Sequence, residues 1–348
     1  MEYSAAEKAI IWLATYSGLD YRARVAFLRS VKDPARIFTE EFPSLEKDAK
    51  TRLDEADALI KSLEKRGRFA LTFLSEDYPE LLQNISEPPL VLFGEGNREL
   101  LRRRKFCIVG SRVTPPWAEK CGRQISERLA EKFCIVTGLA EGGDRAAIDG
   151  ALGSGNLICV LPCGLNVCYP AAHAALKERI AKRGLLLSEY LPDEGVTKYA
   201  FHARNRILAG LSEGLLVLSA GARSGTLITV NCAVDEDRDV FALPHNVNVA
   251  KGEGCNELIK KGAYLVTGAE DIFAVYGMTE SVAPAVQLTE EEARVMEVLR
   301  EGELHAAVIA ERVGMRIFEV TAVLSALEIK GLCVKSGGNR YSAVSATK

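Results

Sequence analysis

Phe106-Cys107-Ile108-Val109-Gly110-Ser111-Arg112 is four apolar residues in a row, then a glycine, a serine and an arginine. An apolar run this short and this continuous suits a strand covered on both faces, the situation of a parallel sheet. Leu157-Ile158-Cys159-Val160-Leu161 is a second instance. Comparable runs begin near Lys105, Phe133, Leu157, Leu185, Leu215, Val240 and Tyr264, each followed by a loop and a helix-like stretch. Their spacing of about 24 to 30 residues accommodates one strand, one helix and the loops between them. The expectation is an α/β domain over residues 67–276 with a doubly wound, mostly parallel sheet. Ligands of such sheets bind beyond the carboxyl ends of the strands, so the loops there are where function is sought.

Either side of this domain the pattern is helical. Ala5 to Tyr16 is periodic, Gly18 breaks it, Tyr21 to Ser30 resumes, and Ser44 is read as the cap of an amphipathic stretch ending at Gly67. Residues 1–66 therefore form a helical domain. Gly18-Leu19-Asp20 between its two short helices fits a helix-hairpin-helix or SAM-like DNA module, and fits plain helical packing equally well. Phe69 to Leu74 and Leu90 to Phe93 read as an extension leading into the sheet. Residues 277–287 read as a linker. In 288–348, Thr289 to Arg300, Leu304 to Val313 and Arg316 to Lys330 read as three helices before a hairpin turning at Gly337-Gly338, the plan of a winged helix.

Composition bounds the function. The chain has 348 residues, 48% apolar and 26% charged, as a folded protein of two or three domains should. No apolar run reaches the roughly 20 residues of a membrane span, and the first residues lack a signal peptide's pattern; a cytoplasmic protein with no membrane contact is expected. The nine cysteines match no zinc signature, and Cys107, Cys134 and Cys159 sit in strand-like runs, so buried reduced thiols are expected, with no metal and no cofactor. A net charge of −3 means that a nucleic-acid site has to be a local patch.

Three strand-end loops are candidates for that patch. Gly110-Ser111-Arg112 directs backbone N–H groups and a guanidinium at one spot, with Thr114 placed to cap the next helix and Pro115 to start it. Thr137 to Asp144 holds Gly138 and Gly142, which admit close approach of a ligand or of backbone. Gly221 to Thr226 holds Ser224 and Gly225. Each alone reads equally well as a tight turn. Lys198-Tyr199-Ala200-Phe201-His202-Ala203-Arg204-Asn205-Arg206 adds three cations and two aromatic rings with no acid, the combination that holds phosphates and stacks on unpaired bases. The plain alternative is a helix start whose arginines pair with carboxylates such as Glu189. The second basic run, Arg102 to Lys105, reads as a solvated connector.

Walker A, H-E-x-x-H and G-x-S-x-G patterns are missing, and Gly110-Ser111-Arg112 does not continue as G-x-G-x-x-G, which argues against hydrolase and dinucleotide chemistry. The four histidines, 173, 202, 245 and 305, are scattered. Residues 287–348 carry nine acidic and eight basic residues, a balance that favours a protein-contact or weak DNA role over duplex reading.

Ile108 to Arg112, Thr137 to Ala140, Cys163-Gly164-Leu165 with Tyr169-Pro170, Leu187 to Tyr190, Arg204 to Leu211 and Ser224-Gly225-Thr226 resemble, in order, the signature of the DprA/Smf family. The resemblance spans residues 69–275. It implies a Rossmann-like core and a homodimer that binds and protects single-stranded DNA and loads the RecA recombinase in natural transformation. Single-strand-binding protein is a further implied partner, and no reaction is catalysed. The implied DNA residues are Arg112, Gly138, Lys198, Phe201, Arg204 and Asn205; the strand-end loops and the basic cluster add Gly110, Ser111, Gly142, Arg206, Ser224 and Gly225. The chain departs from the family pattern at Ile148, Ser219 and His245, where His, an acid and Gly are usual. A phosphoribohydrolase-type enzyme and a winged-helix regulator are the rival readings, although Ser219 to Thr226 lacks the hydrolase's phosphate loop and catalytic Glu.

Overall fold

The computed structural model describes residues 2–278 and 288–344. They form two compact units, one ending at Met278 and the other made by the residues that follow. Residues 279–287, most of the expected linker, lie outside the described residues.

The first unit is built on a nine-stranded sheet: β1 Arg68–Thr72, β2 Val91–Gly96, β3 Lys105–Val109, β4 Cys134–Thr137, β5 Leu157–Leu161, β6 Leu185–Ser188, β7 Gly214–Val217, β8 Asp239–Ala242 and β9 Tyr264–Leu265. Their order across the sheet is β1-β2-β6-β5-β4-β3-β7-β8-β9. From β6 to β9 all neighbours are parallel, in line with the seven expected strands. The stretch read as an extension is instead an antiparallel hairpin, β1 with β2, added to the edge at β6. The two runs are separated by Pro88-Pro89, and they become strands by pairing, β1 with β2 and β2 with β6.

Period-two alternation sends each strand's side chains to opposite cores. On one face Phe106, Ile108, Ile135, Leu157 and Cys159 join Ile10, Ile11, Ile60 and Leu63 of the N-terminal helices. On the other, Cys107, Val109, Val136, Ile158 and Val160 pack with Ile207, Leu208 and Leu211. Phe106 alone meets the rings of Phe133, Phe241 and Tyr276, with centroids 5.5, 5.5 and 6.2 Å away. The cysteines among these are free thiols, and burial pushes Cys134 up to about 12. Among the described residues no group of three or more His, Cys, Asp or Glu could hold a metal, and no helix is long and apolar enough to cross a membrane.

The N-terminal helices Ala5–Thr15, Tyr21–Val31 and Ala49–Glu64 lie against this sheet. Tyr3 Oη donates to the Ala70 carbonyl and accepts from the Ala70 N–H, at 3.0 and 2.9 Å, satisfying main-chain groups of the edge strand β1. Ser44 does not cap the third helix. Asp48 does, accepting from Thr51 N–H at 2.9 Å, because it is the residue adjacent to the first helical turn.

In the second unit, helices Glu290–Leu299, Ala306–Val313 and Ile317–Ile329 and the strands β10 Leu304–His305, β11 Cys333–Ser336 and β12 Arg340–Ala343 make a winged helix. Val295, Ile309, Leu324 and Leu327 form its core. Three of its arginines pair with neighbouring carboxylates, Arg312 with Glu301, Arg316 with Glu319 and Arg340 with Glu303. Phe318 and Ile329 of the third helix stay exposed.

A close main-chain contact lies beyond the ends of β3 and β4. A Cβ on Gly143 would come within 2.3 Å of the Gly110 Cα, and one on Gly142, at φ +70°, within 2.2 Å of the Ser111 carbonyl oxygen. Main chain therefore touches main chain, closed by Gly143 N–H donating to Ser111 O at 3.1 Å. Gly143→Ala is expected to lower stability by about 2 kcal/mol or more, since two backbones must separate. Gly153→Ala, where nothing lies within 4 Å, should change it by less than about 0.5 kcal/mol. Urea unfolding of both variants measures the difference; equal midpoints would refute the contact.

Candidate nucleic-acid interface

The strand order reverses between β3 and β7, whose crossovers run to opposite sides. The crevice outside their carboxyl ends is the place where doubly wound sheets bind ligands. A cleft of about 390 Å³ opens there. It is lined by Gly110, Ser111, Arg112, Lys198, Phe201, Arg204, Asn205, Ser224 and Gly225, and also by Asp144, His202, Thr226 and Thr229. Nine of the twelve residues expected at the site are thus brought to one cleft. Gly138, Gly142 and Arg206 are not among them.

Three elements position the cations. The loop after β3 carries Arg112, and hydroxyls set its shape. Ser219 Oγ lies 3.0 Å from Ser111 Oγ and 2.9 Å from Thr114 Oγ1, while Ser111 N–H donates to Ser219 O at 2.9 Å. Ser219, an acid in the family pattern, serves here as the hub between the β3 and β7 loops. Thr114 donates to Ser111 O at 2.8 Å and so is not the expected cap; helix Pro116–Leu129 starts on Pro115 with no side-chain cap. The helix Ala200–Leu211 crosses from β6 to β7 beneath β5, β4 and β3, presenting Phe201, Arg204 and Asn205 to the cleft. Lys198 stands exposed just before it.

The arginines divide by burial. Arg204 is 7% exposed, donates to Val160 O at 2.8 Å and reaches Asn205 Oδ1 at 3.2 Å. Gly138 lies under it: a Cβ there would meet Arg204 Nη1 and Asp144 Oδ2, each at 2.3 Å. Gly138 therefore makes room for the Arg204 and Asp144 side chains, and the helix cation serves the sheet as much as the cleft. Burial works against charge on both, raising the Asp144 carboxyl and lowering the Arg204 guanidinium, with their mutual attraction offsetting part of it. Arg206 faces away from the cleft. It holds Glu189 through Nη2 at 2.6 and 2.5 Å and Glu87 O at 2.6 Å, the pairing that the sequence alternative named, and it lines a separate cavity of about 1210 Å³ against the N-terminal helices. Burial pushes the Glu189 carboxyl up even against Arg206.

Arg112 and Lys198 are different: both are exposed, and neither has an ion pair among the described residues. The Arg112 guanidinium carbon sits 5.1 Å from the Phe201 ring centroid and 5.9 Å from that of Tyr169. Tyr169 and the Ser219 hub were not among the residues expected at the site. Tyr169 lies far from any basic run in sequence, and only its proximity to Phe201 in space reveals it. His245, where Gly is usual, is absorbed into the fold: its Nε2 lies 3.0 Å from Leu218 O and its ring packs edge-on to Trp117 at 4.8 Å. The basic run Arg102 to Lys105 is consumed structurally, with Arg103 on Asn156, Arg104 on Glu213 and Lys105 on the Leu101 and Arg103 carbonyls.

Comparison with known proteins agrees with this architecture. Residues 69–277 match the family model for DNA recombination-mediator protein A, and residues 279–339 that for the DprA winged helix domain. The chain is 40% identical over 253 residues to DNA processing protein DprA of Streptococcus pneumoniae, covering 72% of this chain and 86% of that one. It is 35% identical over 271 residues to Protein Smf of Escherichia coli, covering 74% and 72%. The X-ray structure of the Streptococcus pneumoniae DprA superposes with a TM-score of 0.64 at 32% identity, over 79% of this chain and 98% of that one. The Helicobacter pylori DNA processing protein A, whose structure concerns a single-stranded DNA binding mode, gives 0.55 at 30% identity over 60% and 95%. The chain belongs to the DprA/Smf family of DNA recombination-mediator proteins.

Proposed function

We propose that this protein is a single-stranded DNA-binding recombination mediator, one that protects incoming strands and loads RecA recombinase during natural transformation without catalysing a reaction. The observation that carries the reading is the pairing of Arg112 and Lys198, exposed cations with no ion pair among the described residues, with the Phe201 ring around one cleft at the sheet's switch point. Phosphates need accessible cations and unpaired bases need ring faces; a mildly acidic chain that keeps both at one place is built for local strand capture. Gly110, Ser111, Ser224 and Gly225 would admit the sugar-phosphate backbone, while Gly138, Gly142, Arg204 and Asn205 hold the walls. Family membership and the Helicobacter pylori relative's single-strand binding support the same assignment. Homodimerisation, a cytoplasmic location and contact with single-strand-binding protein belong to this proposal. For the winged helix we propose a protein-contact role, supported by the pairing of Arg312 and Arg316 with carboxylates and by exposed Phe318 and Ile329.

Two measurements test it. Fluorescence anisotropy with oligo-dT across salt concentrations should give log-log slopes near −0.7 per phosphate neutralised, and Arg112→Ala or Lys198→Ala should each flatten the slope by about 0.7. Both variants matching the unmutated protein would refute the site. Arg206→Ala should leave the slope unchanged while costing about 3 kcal/mol of stability, because it strands the Glu189 carboxylate; a flattened slope would place Arg206 on the strand after all. Base release from nucleoside monophosphates, abolished by Arg112→Ala, would instead support the phosphoribohydrolase reading.

A further inference from the structure

Tyr169 stands at the mouth of the cleft, 40% exposed, in the loop between β5 and helix Ala174–Arg183. Its ring meets that of Phe201 at 5.5 Å with 68° between their planes. The Arg112 guanidinium lies within 6 Å of both centroids. A guanidinium is flat, weakly hydrated and at home on an aromatic face, and in the absence of an anion the rings are the partner it has. The demands of a nucleobase on those faces are the same: a flat partner with a π surface. An exposed cation–ring contact is weak enough to be exchanged, and a strand entering the cleft brings both exchange partners at once, a phosphate for the cation and a base for the ring.

Resting on the single-strand reading above, we propose that Tyr169 and Phe201 together form a base platform that Arg112 occupies while no strand is bound. On binding, Arg112 moves to a phosphate and bases take the ring faces. Because the planes stand 68° apart, one base cannot lie flat on both rings. Successive bases take one ring each, and the strand bends between them. Tyr169 is thereby a DNA-contacting residue as well as a neighbour of Phe201.

The test compares oligo-dT with an abasic tetrahydrofuran strand of equal length, using the full chain and anisotropy. Tyr169→Ala should weaken oligo-dT binding roughly tenfold, keep the salt slope of the unmutated protein, and leave abasic-strand binding as it was; Tyr169→Phe and Tyr169→Trp should retain oligo-dT affinity. Thermal unfolding followed by circular dichroism confirms that the variants fold. Unaltered oligo-dT affinity in Tyr169→Ala overturns the proposal. So does an equal loss on both strands, which would make Tyr169 a prop for the cleft wall. Failure of the unmutated protein to bind oligo-dT at all would instead bring down the single-strand reading, and this inference with it.

Discussion

The contact on which this molecule depends is one between two main chains. Where β3 and β4 end, Gly110 and Gly143 approach so closely that neither tolerates a Cβ. That approach fixes the Arg112 loop against the start of helix Gly143–Ala151 and brings Asp144 inward, where it lies with Arg204 over Gly138. Arg204 in turn binds the Val160 carbonyl and ties the helix Ala200–Leu211 to β5. The cleft is therefore shaped from below by backbone packing and by the buried Asp144 and Arg204 side chains over Gly138, leaving its rim to side chains that face solvent.

Burial divides the cations into two populations that look alike in a one-dimensional chain. Arg204 and Arg206 are two residues apart and carry the same charge, yet one supports a strand end and the other neutralises Glu189 on a different cavity. Arg112 and Lys198, 86 residues apart in numbering, share one rim. A buried cation with fixed partners would lose them by turning to a phosphate, whereas an exposed cation without an ion pair gives up only solvent or a weak ring contact.

Much of the fold was legible because parallel strands are apolar throughout and recur at a nearly constant interval; all seven such strands are present. What local pattern could not reveal depends on distant partners. Phe69 to Leu74 and Leu90 to Phe93 become strands through pairing, the first with the second and the second with β6. Ser44 and Asp48 are both competent caps, and only the helix's actual first turn chooses between them. Thr114 has the right spacing to cap but is captured by Ser219 from 105 residues away. The cleft was readable where its residues sit in strand-end loops, and Tyr169 was not, since a lone tyrosine after a cysteine carries no sign that Phe201 is beside it.

The hydroxyl of Tyr3, seated on both main-chain groups of Ala70, has a bearing on assembly. It takes both main-chain groups of Ala70 at the β1 margin of the sheet, so that this residue offers neither donor nor acceptor to the strand of another molecule.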